Sequence, residues 1–490
     1  MSAVEGHQDV ASAGAPPVAG DHAALERAVP LLQRACGEDF VYTHEHQLRT
    51  YESDGLLQYK VRAGAVCLPA THEEVVACVR ACARPTGPRA ARGAGSGLSG
   101  GALPVEDGVV LALTRMRAVL EDDPEDHRVV AQPGVTNVEV GAAIGPDRYY
   151  PPDPSSQIVC TIGGNVAENS GGAHCFKYGF TTNYVTGARV VLADGDEVQL
   201  GGRGLDPPGY DLLGCFVGSE GTLGVATEVT LRTVPMPEAV KTMVAFFGGT
   251  REAGDAVSAI VVAGVVPGAI EMMDNLTIQA AEQATDAGFD TSAGAALVVE
   301  LDGSAQECEA RFEEVVALCE QHGATGIKIA ADDAERAVIW RARKAAFAAM
   351  GRLAPNYFVQ DGVIPRTRLA EVLERIAELS EAYGLRVANV FHAVEEHERA
   401  EELAGEIIVA CVEAGGSITG EHGVGVDKKR YMPKMFSEPD LDAFQRLRCA
   451  FDPAGLANPG KVMPTPRLCG EVPGVYRQHP LERDGLAERF

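Results

Sequence analysis

Positive charge is in short supply. The 42 lysines and arginines face 69 aspartates and glutamates, leaving a formal net charge of −27. Such a surface argues against nucleic acid and against an anionic membrane as partner. No apolar run approaches the length of a spanning helix. Met1 to Gly20 has no basic start and no apolar core, so residues 1–22 read as a disordered tail and not as a secretory signal. The 12 cysteines are scattered and never fall into a C-x₂-C-x₂-C run, which excludes an iron–sulfur cluster held by that motif. A disulfide framework is not expected in a chain of this length, and a reducing, cytoplasmic compartment is. No G-K-[ST] follows any glycine-rich stretch, which excludes a P-loop.

Glycine, by contrast, is concentrated. Arg92 to Ala102 reads RGAGSGLSGGA, between an extended segment and the strand Val109 to Thr114. Glycine lets successive N–H groups converge, and a concave row of amides binds a diphosphate without a lysine. Three further punctuated stretches accompany it: PPDPSS from Pro151, TIGGNVAENSGG from Thr161 with Tyr178-Gly179 beyond, and GSEGTLGV from Gly218. Four such loops near β-branched runs imply one large ligand laid across several strand ends, as a flavin dinucleotide would be. The candidate cofactor residues are Arg92, Gly93, Ala94, Gly95, Ser96, Gly97, Leu98, Ser99 and Gly100 in the first loop, and Pro152 and Asp153 in the second. The third gives Thr161, Gly163, Gly164, Asn165, Asn169 and Gly172, with Tyr178 and Gly179. The fourth gives Glu220, Gly221, Gly224 and Val225.

Together these loops resemble the vanillyl-alcohol-oxidase/p-cresol-methylhydroxylase type of FAD-binding domain. More narrowly, from about Thr43 to about Val472, the chain is similar to the FAD-binding subunit of glycolate oxidase and its D-lactate and D-2-hydroxyglutarate dehydrogenase relatives. The resemblance implies an α+β fold, a two-lobed FAD-binding domain (23–235) with a helix-covered antiparallel-sheet cap (236–440). It also implies a C-terminal segment (441–490) that returns to the FAD domain and makes Asn458 a flavin neighbour.

The pattern in the cap half fits this expectation. Strands at Val240 to Phe247, Ala269 to Met273, Ala296 to Leu301, Gly326 to Ala330, Phe358 to Ile364 and Val387 to His392 alternate with helices at Glu252 to Ala263, Leu276 to Thr285, Ala305 to Gln321, Asp333 to Leu353 and Arg368 to Tyr383. In the first half, Thr71 is expected to cap a helix with Glu74 three residues on. Thr136 to Ile144 is expected to be helical, and Pro30 to bend or end a helix over 24–36.

Chemistry falls on three features of the cap. On the helix WRARK, Arg343 shares a face with Trp340, and a guanidinium is a natural carboxylate clamp. The resemblance implies that Arg343 holds the acid group of the substrate. In GEHGVG, Gly420 to Gly425, the resemblance makes Glu421 a divalent-metal ligand (zinc or manganese) and His422 the base that takes the hydroxyl proton, with hydride passing to flavin N5. His392 is the other metal candidate. After Val390-Phe391-His392-Ala393 the family's G-D-G-N-x-H segment is missing, and the chain continues directly to a helix near Glu398. The expected function is oxidation of a small 2-hydroxy acid, glycolate or D-lactate, with an iron–sulfur electron-transfer subunit as partner. The alternative is an impaired FAD-binding subunit with a structural or interaction role, which the missing segment favours.

Overall fold

The computed structural model describes residues 22–82, 87–204, 208–353, 357–388, 391–393 and 397–464, the side chains of 347, 348, 352–358 and 391–398 excepted. Its first lobe opens on a helix, His22–Cys36, that continues past Pro30. The expected break does not occur: Ala24, Leu25, Ala28, Leu32 and Cys36 are all buried, and that packing outweighs the lost hydrogen bond. A four-stranded sheet follows, in the order Val41–Tyr42, Ala65–Cys67, Val109–Ala112, Arg89–Arg92. Its last three strands are parallel, so the glycine-rich run leaves from the C-terminal end of a strand. The helix His72–Cys82 begins as its sequence requires. Glu74 N–H donates to Thr71 Oγ1 at 3.2 Å, and the Glu74 carboxylate accepts from Ala70 N–H at 2.7 Å.

The second lobe is an antiparallel five-stranded sheet in the order Val119–Asp123, Arg128–Ala131, Val225–Arg232, Val185–Val191, Glu197–Gly201. Thr136 closes a capping box on the helix Asn137–Ala143. The stretch after Thr161 departs from its reading as a loop: Ile162–Glu168 is a short helix, capped by Thr161 and ended by Asn169 in the left-handed region. The apolar positions Ile162 and Val166, one turn apart, pack into the core of this lobe and supply the reason.

Beyond Pro235 lies a second antiparallel sheet of four strands, ordered Ala269–Asp274, Ala295–Gly303, Ala239–Phe247, Ala324–Ile329. Strand alternation divides its core. Met243, Ala245 and Phe247 meet the helices Thr250–Val262 and Ala305–Gln321 on one side, while Val244 and Phe246 meet Asn275–Thr285 and Asp333–Leu353 on the other. The strand expected over Phe358 to Ile364 is shorter, Tyr357–Phe358. It pairs with Phe391–Ala393, which pairs in turn with Val387–Ala388. His392 lies on the middle strand, and its side chain is outside the described residues. Among the described residues ten cysteines are free thiols, and Cys449 stands in a disulfide, the one departure from the thiol state expected throughout.

A buried polar clasp joins the lobes. His174 sits between Asp153 of the FAD lobe (Nδ1–Oδ2 3.0 Å) and Glu300 of the cap sheet (Nε2–Oε1 3.2 Å). Glu300 also accepts from Thr242 Oγ1 and Trp340 Nε1, each at 2.5 Å. Burial opposes charge on the ring, but the two carboxylates outweigh it and raise the His174 pKa from 6.5 to about 10. A folded-state pKa above the unfolded one stabilises fully below about pH 6.5 and fades as pH rises through about 10. His174→Gln should therefore lower stability by a few kcal/mol, on the order implied by such a shift, at pH 6. Parallel thermal melts of parent and variant should converge as the pH approaches 10.5; a constant difference across that range would rule out the charged clasp.

Candidate functional site

Two cavities lie among these elements, the first within the FAD-binding half and the second at its junction with the cap. The first, with about 630 Å³ of empty space, is lined by Arg92, Gly93, Gly101, Thr161, Gly163, Gly164, Glu168, Ser219, Glu220, Gly221, Gly224 and Val225, among others. It therefore gathers three of the four punctuated loops. Arg92 is buried, and its guanidinium donates to Ser53 O at 2.8 Å and Ala102 O at 3.1 Å, tying down the base of the glycine run. Among the described residues, the amides of Ala94 to Gly101 donate to no other protein group. An unclaimed row of this kind is what a diphosphate cradle requires. By contrast, the amides of Ile162, Gly163 and Gly164 are already used by Val135 O, Pro133 O and Thr161 Oγ1. These glycines serve close approach instead: a Cβ on Gly163 would lie 2.6 Å from Pro133 Cβ, and one on Gly93 2.3 Å from Thr161 Oγ1.

Asn458 fastens the loops to one another. Its Nδ2 donates to Gly101 O at 2.9 Å and Glu220 O at 2.6 Å, with its backbone in the left-handed region. Several buried polar atoms around the cleft lack any protein partner: Asn165 Nδ2, Ser99 Oγ, Ser219 Oγ and Glu168 Oε2. Buried groups are rarely left unpaired, so this set fits a large polar ligand. Burial and the neighbouring Glu220 push the Glu168 carboxyl well up.

Not every expected cofactor residue faces this cleft. Asn169 Oδ1 accepts from Thr182 N–H at 2.9 Å, and Pro152 O accepts from Asn137 Nδ2 at 2.8 Å. Tyr178 turns to the cap, donating to Asp302 Oδ2 at 2.5 Å. Gly179 turns the chain beside Asn183. Asp153 and Gly172 line the second cavity.

That second cavity holds about 730 Å³ of empty space, and Trp340, Arg343, Lys344, Glu271, Asp361 and Glu421 are among its walls. The helix Asp333–Leu353 buries Ile339, Ala342, Ala346 and Ala349, a helical stripe that leaves Trp340, Arg343 and Lys344 to face the cavity. The strand register places Glu271 opposite Val298, two pairs along from Glu300 and therefore on the same face. Arg343 accordingly meets Glu271 through Nε at 2.9 Å and Nη2 at 2.5 Å. Burial raises the Glu421 pKa, helped by Glu271 and Asp153, and lowers that of His422. His422 Nε2 lies 4.0 Å from Glu421 Oε1. Among the described residues no group of three or more His, Cys, Asp or Glu side chains is arranged to hold a metal ion.

Asp361, Glu271 and Glu168 were not anticipated. Glu271 and Glu300 carried a readable signal, since each interrupts an otherwise apolar strand (AIEMM, ALVVEL). Asp361 carried none, because its role depends on a segment sixty residues away along the chain.

Residues 63–201 match the family described as FAD binding domain, and residues 236–462 match FAD linked oxidases, C-terminal domain. The glycolate oxidase subunit GlcD of Escherichia coli (strain K12) is 45% identical over 465 residues, covering 92% of this chain and 93% of that protein. The chain belongs to the FAD-linked oxidase family. The D-lactate dehydrogenase of Anaerostipes hadrus is 30% identical over 428 residues, covering 82% of this chain and 90% of that one. Among solved structures, 4-ethylphenol oxidase from Gulosibacter chungangensis has a TM-score of 0.76 at 18% identity, covering 92% of this chain and 99% of that one. p-Cresol methylhydroxylase gives 0.76 at 18%, covering 90% and 97%. At that identity the likeness concerns the fold, an α+β arrangement of the vanillyl-alcohol-oxidase type. The chain is an FAD-linked oxidoreductase, and the cleft, with the unclaimed amides of the first glycine-rich run next to it, fits FAD. Asn458→Ala should loosen two loops at once: each lost bond leaves a buried carbonyl unpaired at about 1–3 kcal/mol. FAD should consequently be retained less fully through purification and bind at least about tenfold more weakly by fluorescence titration. Unchanged affinity would show that the fastening does not serve the cofactor.

Proposed function

We propose that this FAD-linked oxidoreductase oxidises a small 2-hydroxy acid, glycolate or D-lactate, to the 2-oxo acid. The observation that carries this reading is the second cavity, whose walls bring a guanidinium, Arg343, to one space with Glu421, the immediate neighbour of the part-buried imidazole of His422. The similarity to GlcD and to a D-lactate dehydrogenase supports the substrate class.

The chain's own residues divide the work. Arg343 binds the substrate carboxylate as a bidentate partner, taking over from its contact with Glu271. His422, held neutral by burial, accepts the proton of the 2-hydroxyl. Trp340, fixed by its bond to Glu300, walls the cavity and helps to exclude water. Bound FAD supplies the hydride acceptor. Glu421, with His392, is the pair that would hold a divalent metal. Electrons leave to a separate iron–sulfur subunit, in keeping with the name of the GlcD relative as a subunit, and the setting is cytoplasmic.

Anaerobic addition of glycolate or D-lactate to the purified yellow protein should bleach the oxidised flavin. His422→Asn should slow that bleaching by on the order of 10² to 10⁴, whereas Arg343→Lys should mainly raise the substrate concentration needed, about tenfold or more. A flavin that stays oxidised with every small 2-hydroxy acid, with and without zinc or manganese, would refute the proposal and favour an impaired FAD-binding subunit.

A further inference from the structure

The loop from Gly420 to Asp427 has almost no freedom, and the reason lies outside it. Oδ2 of Asp361 accepts from three consecutive amides, Gly420 at 2.9 Å, Glu421 at 2.7 Å and His422 at 2.9 Å. Thr419 Oγ1 reaches both Asp361 oxygens at 3.2 Å. The Lys428 ammonium pairs with the same carboxylate and donates to the Asp361 carbonyl at 3.2 Å and to Thr419 Oγ1 at 3.3 Å. Lys428 is 1% exposed, so Asp361 also compensates a buried charge.

The second half of the loop is gripped from the FAD lobe. Glu220 accepts from Val424 N–H at 2.6 Å and Gly425 N–H at 2.8 Å, and Ser99 O accepts from Val426 and Asp427 at 3.0 and 3.2 Å. Gly423, at φ +83°, is the turn between the two grips. Asp361 is itself fixed by the paired backbone bonds of Val363 with Ser417, both 3.0 Å. Its other oxygen, Oδ1, lies 3.5 Å from His422 Nδ1, a buried nitrogen that makes no hydrogen bond in this structure.

We infer that Asp361 is a positioning residue: it holds the Glu421–His422 backbone against the second cavity and keeps the His422 ring turned so that Nε2, not Nδ1, is offered to substrate. This rests on the reading of His422 as the base. The carboxylate organises the backbone that carries the ring and stands next to the one ring nitrogen that lacks a partner, so a small turn of the ring completes the pair. A small displacement of a reacting group is enough to cost about a hundredfold in rate.

The test uses the full-length FAD-loaded protein and two variants. Asp361→Asn keeps an oxygen acceptor of the same shape, and Asp361→Leu removes it. Amide hydrogen exchange of residues 420–422 and the limiting rate of anaerobic flavin reduction by glycolate or D-lactate are read side by side. Exchange should stay slow in Asp361→Asn and accelerate in Asp361→Leu. The limiting rate should fall about tenfold in the first and a hundredfold or more in the second, with the half-saturating acid concentration changed much less. Exchange unaltered in Asp361→Leu overturns the inference, as does faster exchange with an unaltered limiting rate, which would mark a merely structural tie. Should Asp361→Leu fail to fold, Asp361→Asn with a parent-like rate overturns it. If the parent flavin is not reduced by any acid, the proposed function is what fails, and exchange alone then decides whether Asp361 holds the loop.

Discussion

A carboxylate surrounded by backbone amides is the arrangement on which this active region depends. A glycine-bounded loop has many conformations and few side-chain contacts of its own, so its order must come from elsewhere. Here that order is imposed by acceptors on two different lobes. Asp361 takes the first part of the loop, Glu220 and Ser99 the second. The same Glu220 is linked through its carbonyl to Asn458, and through Asn458 to the first glycine-rich run. The cofactor cleft and the loop beside the second cavity are thus joined by one chain of hydrogen bonds.

The electrostatics follow from burying so many acids together. Glu168, Glu220 and Lys428 lie close enough to influence one another, and burial raises the acids and lowers the amine, with Glu220 and Lys428 each brought to about 7. In a chain with a net charge of −27, two cations, Arg343 and Lys344, are brought together at the wall of the second cavity. They are paired with Glu271 and Asp153, so on the proposed function an incoming carboxylate would exchange one partner for another and would not meet a bare charge. Exchange of this sort favours a ligand that presents planar, bidentate geometry.

Much of the architecture was readable because the local signals agree with each other. The apolar run Met243 to Phe247 of the strand Ala239–Phe247, buried on both faces, and the capping residues Thr71 and Thr136 each specify one element. Pro30 misled because burial of the helix around it outweighs a single missing N–H. The TIGGNVAE stretch misled for the opposite reason. Two glycines mask a helix whose cap and apolar turn are otherwise present. At the site, the glycine loops were legible as a class, but which amides remain free was not. Gly163 and Gly164 spend theirs inside the protein, whereas Ala94 to Gly101 do not. Long-range partners such as Asp361 leave no local trace, because nothing in Gln360-Asp361-Gly362 announces a loop sixty residues on.

The return of the chain after Phe451 has a bearing on how the protein is made. Leu456 and Asn458 add to the edge of the first sheet by exchanging backbone bonds with Arg89, and Lys461 reaches Leu103 O. A nascent chain emerging from the ribosome can fold its early strands long before these residues exist. The dinucleotide pocket thus gains the fastening of Asn458 only once a segment 357 positions beyond Gly101 has been synthesised and has come back to it.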